Sequence, residues 1–316
     1  TTDAAATTAA ATTAPPAPVT SLDQRPRLLG TAADPWTVDT WRKAIRAPVD
    51  ISMTFAAWGV ERDLRGQLAQ AARRKIIPML TWEPWVPVDT SLGSGAQGAL
   101  QPRFSNDAIA AGRLDDYIRR VADVVRTYPG PVMIRYAHEM NGDWYPWFHD
   151  AHAYRLAWRH VVEVFRAEGA TNAVWIWSPN PNFWMSRPEF ITQASAYWPG
   201  GAYVDLVGTT MVRFATGASL DEYWARLDAL HSAFHRPMVL TEVNVDFPQR
   251  QEFFTFLCDR LHAVDWVKAV VISQAPSRGQ AINPGVGQMD WQVPDDPLAS
   301  RLVGQISHAP QCAPAR

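Results

Sequence analysis

Residues 115–142 read DDYIRRVADVVRTYPGPVMIRYAHEMNG, and they hold one helix-like segment, one strand-like segment and a polar end. From Asp115 to Tyr128, apolar residues recur at three- and four-residue spacing with Arg and Asp between them, which predicts a helix with one buried face. From Pro131 the pattern changes to a continuous apolar run, PVMIRYAHEM, of the kind a strand buried on both faces requires. The run closes on His138-Glu139-Met140-Asn141-Gly142.

The same alternation extends outward in both directions. Upstream stand RLLGTAA near 27, DISMTFAAW near 50 and KIIPMLTWEPW near 75. Downstream stand AVWIWSPN near 173, VDLVGTTMV near 204, PMVLTEVN near 237 and AVVISQAP near 269, which makes eight runs in all. Helical spacing fills the intervals, as in 153–168 and 219–234. Eight strand–helix units predict an α/β fold of one domain, a (β/α)8 TIM barrel. An open doubly wound sheet would share the local pattern. It would place a glycine-rich phosphate loop after the first strand, where TAADPW stands instead.

With 316 residues, 47% of them hydrophobic, the chain is long enough for one large core. The barrel is expected over 26–308, after an Ala/Thr/Pro-rich segment at 1–25 and before a tail at 309–316. The opening TTDAAATTAAATTAPPAPVT has Val19 as its one large aliphatic, too little apolar surface to offset ordering entropy. It reads as a mature N-terminus after signal-peptide removal, or as a stalk, and so as part of a secreted protein. Cys258 and Cys312 are the two cysteines, and neither sits in a C-x-x-C pair. They read either as a disulfide pinning the tail in an oxidising compartment or as two unrelated thiols. A net charge of −2 gives no basic excess for nucleic acid, and no run of 18 apolar residues spans a membrane. A monomer is expected.

Each run ends in a polar or aromatic cluster. These are Trp58; Trp82-Glu83-Pro84-Trp85; His138 to Gly142; Trp177-Ser178-Pro179-Asn180; Thr241-Glu242-Val243-Asn244; and Ser273-Gln274. Barrels build their active sites at this C-terminal face, so the clusters are expected to meet in one cleft. Fifteen tryptophans is a high count. Core is the default for any one of them, yet flat indole faces also suit the apolar faces of sugar rings. Trp58, Trp82, Trp85, Trp144, Trp147, Trp177 and Trp291 are expected to line the cleft. Asn141, Asn180, Asn244 and Gln274 are expected to bind substrate hydroxyls beside them.

Two strand-end glutamates, Glu139 and Glu242, fit the chemistry of glycosidic cleavage. One carboxylic acid protonates the leaving oxygen, and one carboxylate attacks carbon or activates water. Each alone could equally be an ion-pair or helix N-terminal carboxylate. Glu83 is a third carboxylate, either structural or a ligand for substrate hydroxyls. The His138-Glu139 pair is no zinc site, because Gly142 stands where the metalloprotease motif needs its second histidine. No Gly-x-Ser-x-Gly elbow is present.

The string Arg135-Tyr136-Ala137-His138-Glu139-Met140-Asn141-Gly142-Asp143-Trp144-Tyr145-Pro146-Trp147 resembles the acid/base segment of glycoside hydrolase family 26. The resemblance runs from about 27 to 305, and includes Thr241-Glu242 and Asp290-Trp291-Gln292-Val293. It implies a barrel and a retaining double displacement on a β-linked polysaccharide or oligosaccharide, a β-glucan or β-mannan. It implies Glu139 as general acid/base, Glu242 as nucleophile, Arg135 and His138 as orienting residues, and Trp144 beside the cleaved bond. No metal or organic cofactor is implied. Two positions depart from the family pattern. Val212, preceded by Thr209, Thr210 and Met211, stands where the family has a tyrosine on strand six. Gln274 stands near its strand-eight tryptophan, a platform that Trp266 or Trp291 could replace. Those departures leave open a hydrolase or transglycosylase trimming the cell's own exopolysaccharide; a silent polysaccharide-binding barrel is a further reading, against which both glutamates, Arg135 and His138 stand.

Overall fold

The computed structural model describes residues 27–88, 94–213, 218–245, 249–273 and 297–308. The eight apolar runs form β1 (Leu28–Thr31), β2 (Ile51–Ala57), β3 (Ile77–Glu83), β4 (Val132–Tyr136), β5 (Ala173–Trp177), β6 (Leu206–Arg213), β7 (Met238–Val245) and β8 (Val267–Ile272). All neighbours pair in parallel, and β8 returns to β1 through Leu28↔Ala269 to Thr31↔Ile272, which closes the barrel. The helices that follow the strands are α1 (Val38–Ile45), α2 (Leu64–Arg74), α3 (Asp115–Arg126), α4 (Ala151–Ala167), α5 (Arg187–Ala196), α6 (Leu220–Phe234), α7 (Arg250–His262) and α8 (Pro297–His308). Several start on a side-chain cap: Asp63 on Gly66, Asp150 on His152 and Ala153, and Ser219 on Glu222. Ser186 and Glu189 form a reciprocal capping box at α5. Among the described residues, no helix is long and apolar enough to cross a membrane.

Side chains alternate across each strand with period two, and this divides the core into two clusters. Ile51, Met53, Ile77, Met79, Met133, Val174, Ile176 and Val239 pack inside the barrel. The opposite parity packs between sheet and helices. The same inward parity, followed towards the C-terminal mouth, reaches Phe55, Glu83, Arg135, Ser178 and Thr210.

This alternation corrects the expectation of a tryptophan-lined cleft. Trp82 neighbours the inward Glu83 and so points outward, with ring centroids 5.6 Å from Phe165 and 5.9 Å from Tyr117. Trp177 is likewise outward, against Trp198 at 5.0 Å and Phe234 at 4.8 Å. Trp58 stacks behind Trp82 at 4.6 Å, and Trp85 meets the edge of Trp147 at 5.9 Å. All five are at most 7% exposed, so none offers an indole face to a ligand. Trp144 alone of the described set is half-buried. Trp266, the other candidate platform, stacks on His231 and Trp224 at the opposite end, before β8. Gln274, Trp291 and Cys312 lie outside the described residues. Cys258 is fully buried on α7.

Candidate active site

Two local irregularities aim the two glutamates. On β7, the register with β6 steps from Leu240↔Thr209 to Glu242↔Thr210 and skips Thr241. Strict alternation from the inward Val239 would turn Glu242 towards the helices. The bulge adds one residue, so Glu242 faces the barrel mouth instead. After β4, Ala137 and Glu139 both adopt left-handed backbone, with φ of 40° and 52°. Non-glycine residues rarely sit there, and such strain persists only where the surroundings hold it. They do: Ala137 N donates to Trp82 O at 3.0 Å, Glu139 N to Ser178 O at 2.7 Å, and the Trp147 indole to His138 O at 2.8 Å. Asn141 adds a two-way clasp, donating to Asn180 O at 2.8 Å and accepting from Asn180 N at 2.8 Å. Asn141 and Asn180 therefore shape the loop. Asn244 is fully buried and bonds Ser273 O and its own neighbour's amide. The Asn141 amide also donates to Gln193 Oε1 at 3.2 Å, so Asn141 and Asn244 spend these bonds on the protein.

Arg135 is the hub. Its side chain is fully buried, and it donates to Ser178 Oγ at 3.1 Å, Thr210 Oγ1 at 3.4 Å and Glu242 Oε1 at 2.5 Å. Glu139 Oε1 stands 3.9 Å away on the same guanidinium. Glu139 accepts from the Trp144 indole on Oε2 at 2.9 Å and bonds the Thr210 hydroxyl through Oε1 at 2.5 Å. The indole can only donate, so a proton on Glu139 belongs on Oε1. Gly142 makes room for this contact: a Cβ there would fall 2.1 Å from Trp144 Cη2.

Burial sets the electrostatics. It pushes Glu242 above the usual carboxylate range, Glu139's charge adds to the rise, and Arg135 opposes it. Glu83, 5% exposed, is pushed up to about 7 by burial, against the Trp85 indole dipole and the charge of Arg135. Burial, and secondarily Arg135, hold His138 neutral. Its Nε2 lies 3.1 Å from the Tyr145 hydroxyl, while its Nδ1 has no hydrogen-bond partner among the described residues. An orphaned N–H costs more than an idle lone pair, so we assign the proton to Nε2. Tyr145 then accepts from His138 and keeps its own O–H to donate. Burial and the nearby carboxylates Glu83, Glu139 and Glu242 keep that phenol un-ionised.

The structure thus brings together Arg135, His138, Glu139, Glu242, Glu83 and Trp144. It adds Phe55, Thr210 and Tyr145, to which sequence reading assigned no role, and sets Ser178, expected at the mouth with its cluster, against Arg135. Phe55 is 37% exposed, with its ring 6.1 Å from His138. The parity of β2 and β6 could have found Phe55 and Thr210; Tyr145 lies in a loop that no period governs.

Against known proteins, the model described as Glycosyl hydrolase family 26 matches residues 103–271, more than half of the chain. The chain belongs to this family. Curated relatives include Endoglucanase H of Acetivibrio thermocellus, 26% identical over 229 residues, covering 68% of this chain and 23% of that protein. A Mannan endo-1,4-beta-mannosidase of Bacillus subtilis is 26% identical over 153 residues, 44% of this chain and 38% of its own length. The chain thus spans well under half of these relatives. Among solved structures, a family 26 β-mannanase from Bacteroides ovatus aligns over 93% of this chain and 91% of its own, with a TM-score of 0.63 and 16% identity. A likeness at that identity concerns the fold, and it agrees with the closed eight-stranded barrel.

Proposed function

We propose that this family 26 member is a retaining glycoside hydrolase that cleaves a β-linked polysaccharide, a β-glucan or β-mannan, by double displacement. The observation that carries the reading is one buried arginine shared unequally by two carboxylates. Arg135 stands 2.5 Å from Glu242 and 3.9 Å from Glu139. The close guanidinium favours the charged form of Glu242 against the burial that raises it. That contact supports Glu242 as the nucleophile, and the reading leaves Glu139 as the general acid/base.

In the first step a Glu242 oxygen attacks the anomeric carbon, the glycosidic C–O bond breaks, and Glu139 gives its proton to the departing oxygen. The enzyme is left with a glycosyl ester on Glu242 and an ionised Glu139. In the second step Glu139 takes a proton from water, the water oxygen attacks the anomeric carbon, and Glu242 leaves as carboxylate. Two inversions give net retention. Glu83, neutral below about pH 7, donates a hydrogen bond to a sugar hydroxyl. Trp144, bonded to Glu139, and Phe55, beside His138, offer apolar surface to the sugar. The Ala/Thr/Pro composition of 1–25 supports action outside the cell.

The test has two arms. A 2-deoxy-2-fluoro glycoside with a good leaving group should trap an ester on Glu242; label on Glu83 or any other residue would overturn the assignment. Glu139→Gln should slow polysaccharide hydrolysis by about 10² to 10⁴-fold and cost far less on donors with acidic leaving groups. A panel of lichenan, β-mannan, β-1,3-xylan and bacterial exopolysaccharides then identifies the sugar.

A further inference from the structure

Among the described residues, Trp184 is the most exposed large apolar side chain, at 94%. It stands in the loop joining β5 to α5, on the same face of the barrel as the catalytic carboxylates. Exposure alone would mean little, but the loop beneath it is unusually well pinned. Arg226 of α6, itself 3% exposed, donates to Pro181 O at 2.9 Å, Asn182 O at 2.9 Å and Met185 O at 2.6 Å. The Phe183 ring packs 4.2 Å from Tyr223, and the Arg226 guanidinium lies 4.9 Å over it. Asn182, with φ of 40°, accepts from the Trp184 amide and donates to Gln193 Oε1 at 3.1 Å. Every residue from 181 to 185 is thereby fixed or flanked by a fixed neighbour, while one indole is left in water.

The pedestal is also continuous with the active site. Asn180, clasped by Asn141, accepts from the Asn182 amide at 2.9 Å. Ser178, two residues earlier, accepts from the Glu139 amide and from Arg135.

We propose that Trp184 is a distal sugar-binding platform, which stacks on a pyranose ring of the bound polysaccharide away from the cleavage point. This rests on the polysaccharide reading above. A pyranose presents apolar C–H faces with hydroxyls at its rim, so it covers one flat indole and leaves the rim in water. A pre-ordered loop loses no conformational freedom on binding, which raises the affinity of a small contact.

The test compares wild type, Trp184→Ala and Trp184→Phe on a soluble β-glucan or β-mannan and on an aryl β-disaccharide confined to the cleft. In Trp184→Ala the ratio of polymer to disaccharide kcat/KM should fall about 3- to 10-fold, through polymer KM, and Trp184→Phe should restore most of it. A ratio within about twofold of wild type would overturn the proposal. So would equal losses on both substrates with a lowered Tm, which would mark a structural residue. A wild type that cleaves the aryl disaccharide and no polymer would bring down the polysaccharide reading itself, and this proposal with it.

Discussion

At the residue scale, Glu83 shows how a buried carboxyl weakens the fold that holds it. Its ordinary value near 4.5 rises to about 7 on folding, with burial the main cause. Between those values the folded protein binds more protons than the unfolded chain, so stability falls as pH rises from 4.5 to 7 and levels off above. The full span corresponds to about 3 kcal/mol. Glu83→Gln should remove this slope: no gain over wild type near pH 4, and a gain approaching that size by pH 8, read by urea unfolding across pH. An equal difference at every pH would refute it. Gly142 is the second case. A methyl group there collides with Trp144, so Gly142→Ala should push the indole off Glu139 Oε2. We expect kcat to fall about tenfold, the scale of one lost charge-assisted hydrogen bond, with Tm changed far less.

At the element scale, the site depends on where strands stop alternating. β7 carries its bulge at Thr241-Glu242, and β4 gives way to left-handed backbone at Ala137 and Glu139. Both departures are held from outside the strand, by Ser178, Trp82 and Arg135. Helix α6 does similar work for the β5–α5 loop. Arg226→Met keeps much of the apolar bulk but leaves three carbonyls without their donor. We expect a loss of about 3 kcal/mol in unfolding free energy, in line with the cost of unsatisfied buried acceptors. The same variant should lower the polymer-to-disaccharide ratio as Trp184→Ala does, because the pedestal loosens. Unchanged stability would mean that water replaces the guanidinium.

At the scale of the whole molecule, closure of the barrel is the decisive event, since it sets residues from all eight strands around one mouth. The seam between β8 and β1 is tied at its lower end by Arg27, which donates to Leu261 O at 2.6 Å, Val264 O at 2.8 Å and Val267 O at 3.0 Å. Those bonds join the first described residue to the end of α7 and the start of β8, about 240 residues later. Arg27→Ala should cost about 2 kcal/mol of stability, and kcat at saturating substrate should stay near wild type, because the seam's lower end is remote from the mouth. A large loss of kcat with intact stability would contradict this placement.

What the amino-acid order determined by itself was periodic or contiguous. Continuous apolar runs such as VMIRY, separated by helical spacing, yield eight units and a barrel, because burial on both faces leaves parallel strands few alternatives. The contiguous string from Arg135 to Trp147 carries the family and holds Arg135, His138 and Glu139, while Glu242 stands at the end of the seventh run. The tertiary structure decided which aromatics serve the cleft. Trp82 beside Glu83, and Trp177 beside Ser178, look alike in sequence, yet period two sends one of each pair to the helices and the other to the mouth. A one-residue bulge reverses that rule at Glu242, and no local pattern announces it. Beyond the strand ends no period applies. Trp144 rather than Trp147 touches Glu139, and Thr210 and Tyr145 join the site, because barrel closure, not sequence proximity, fixes distances across the mouth.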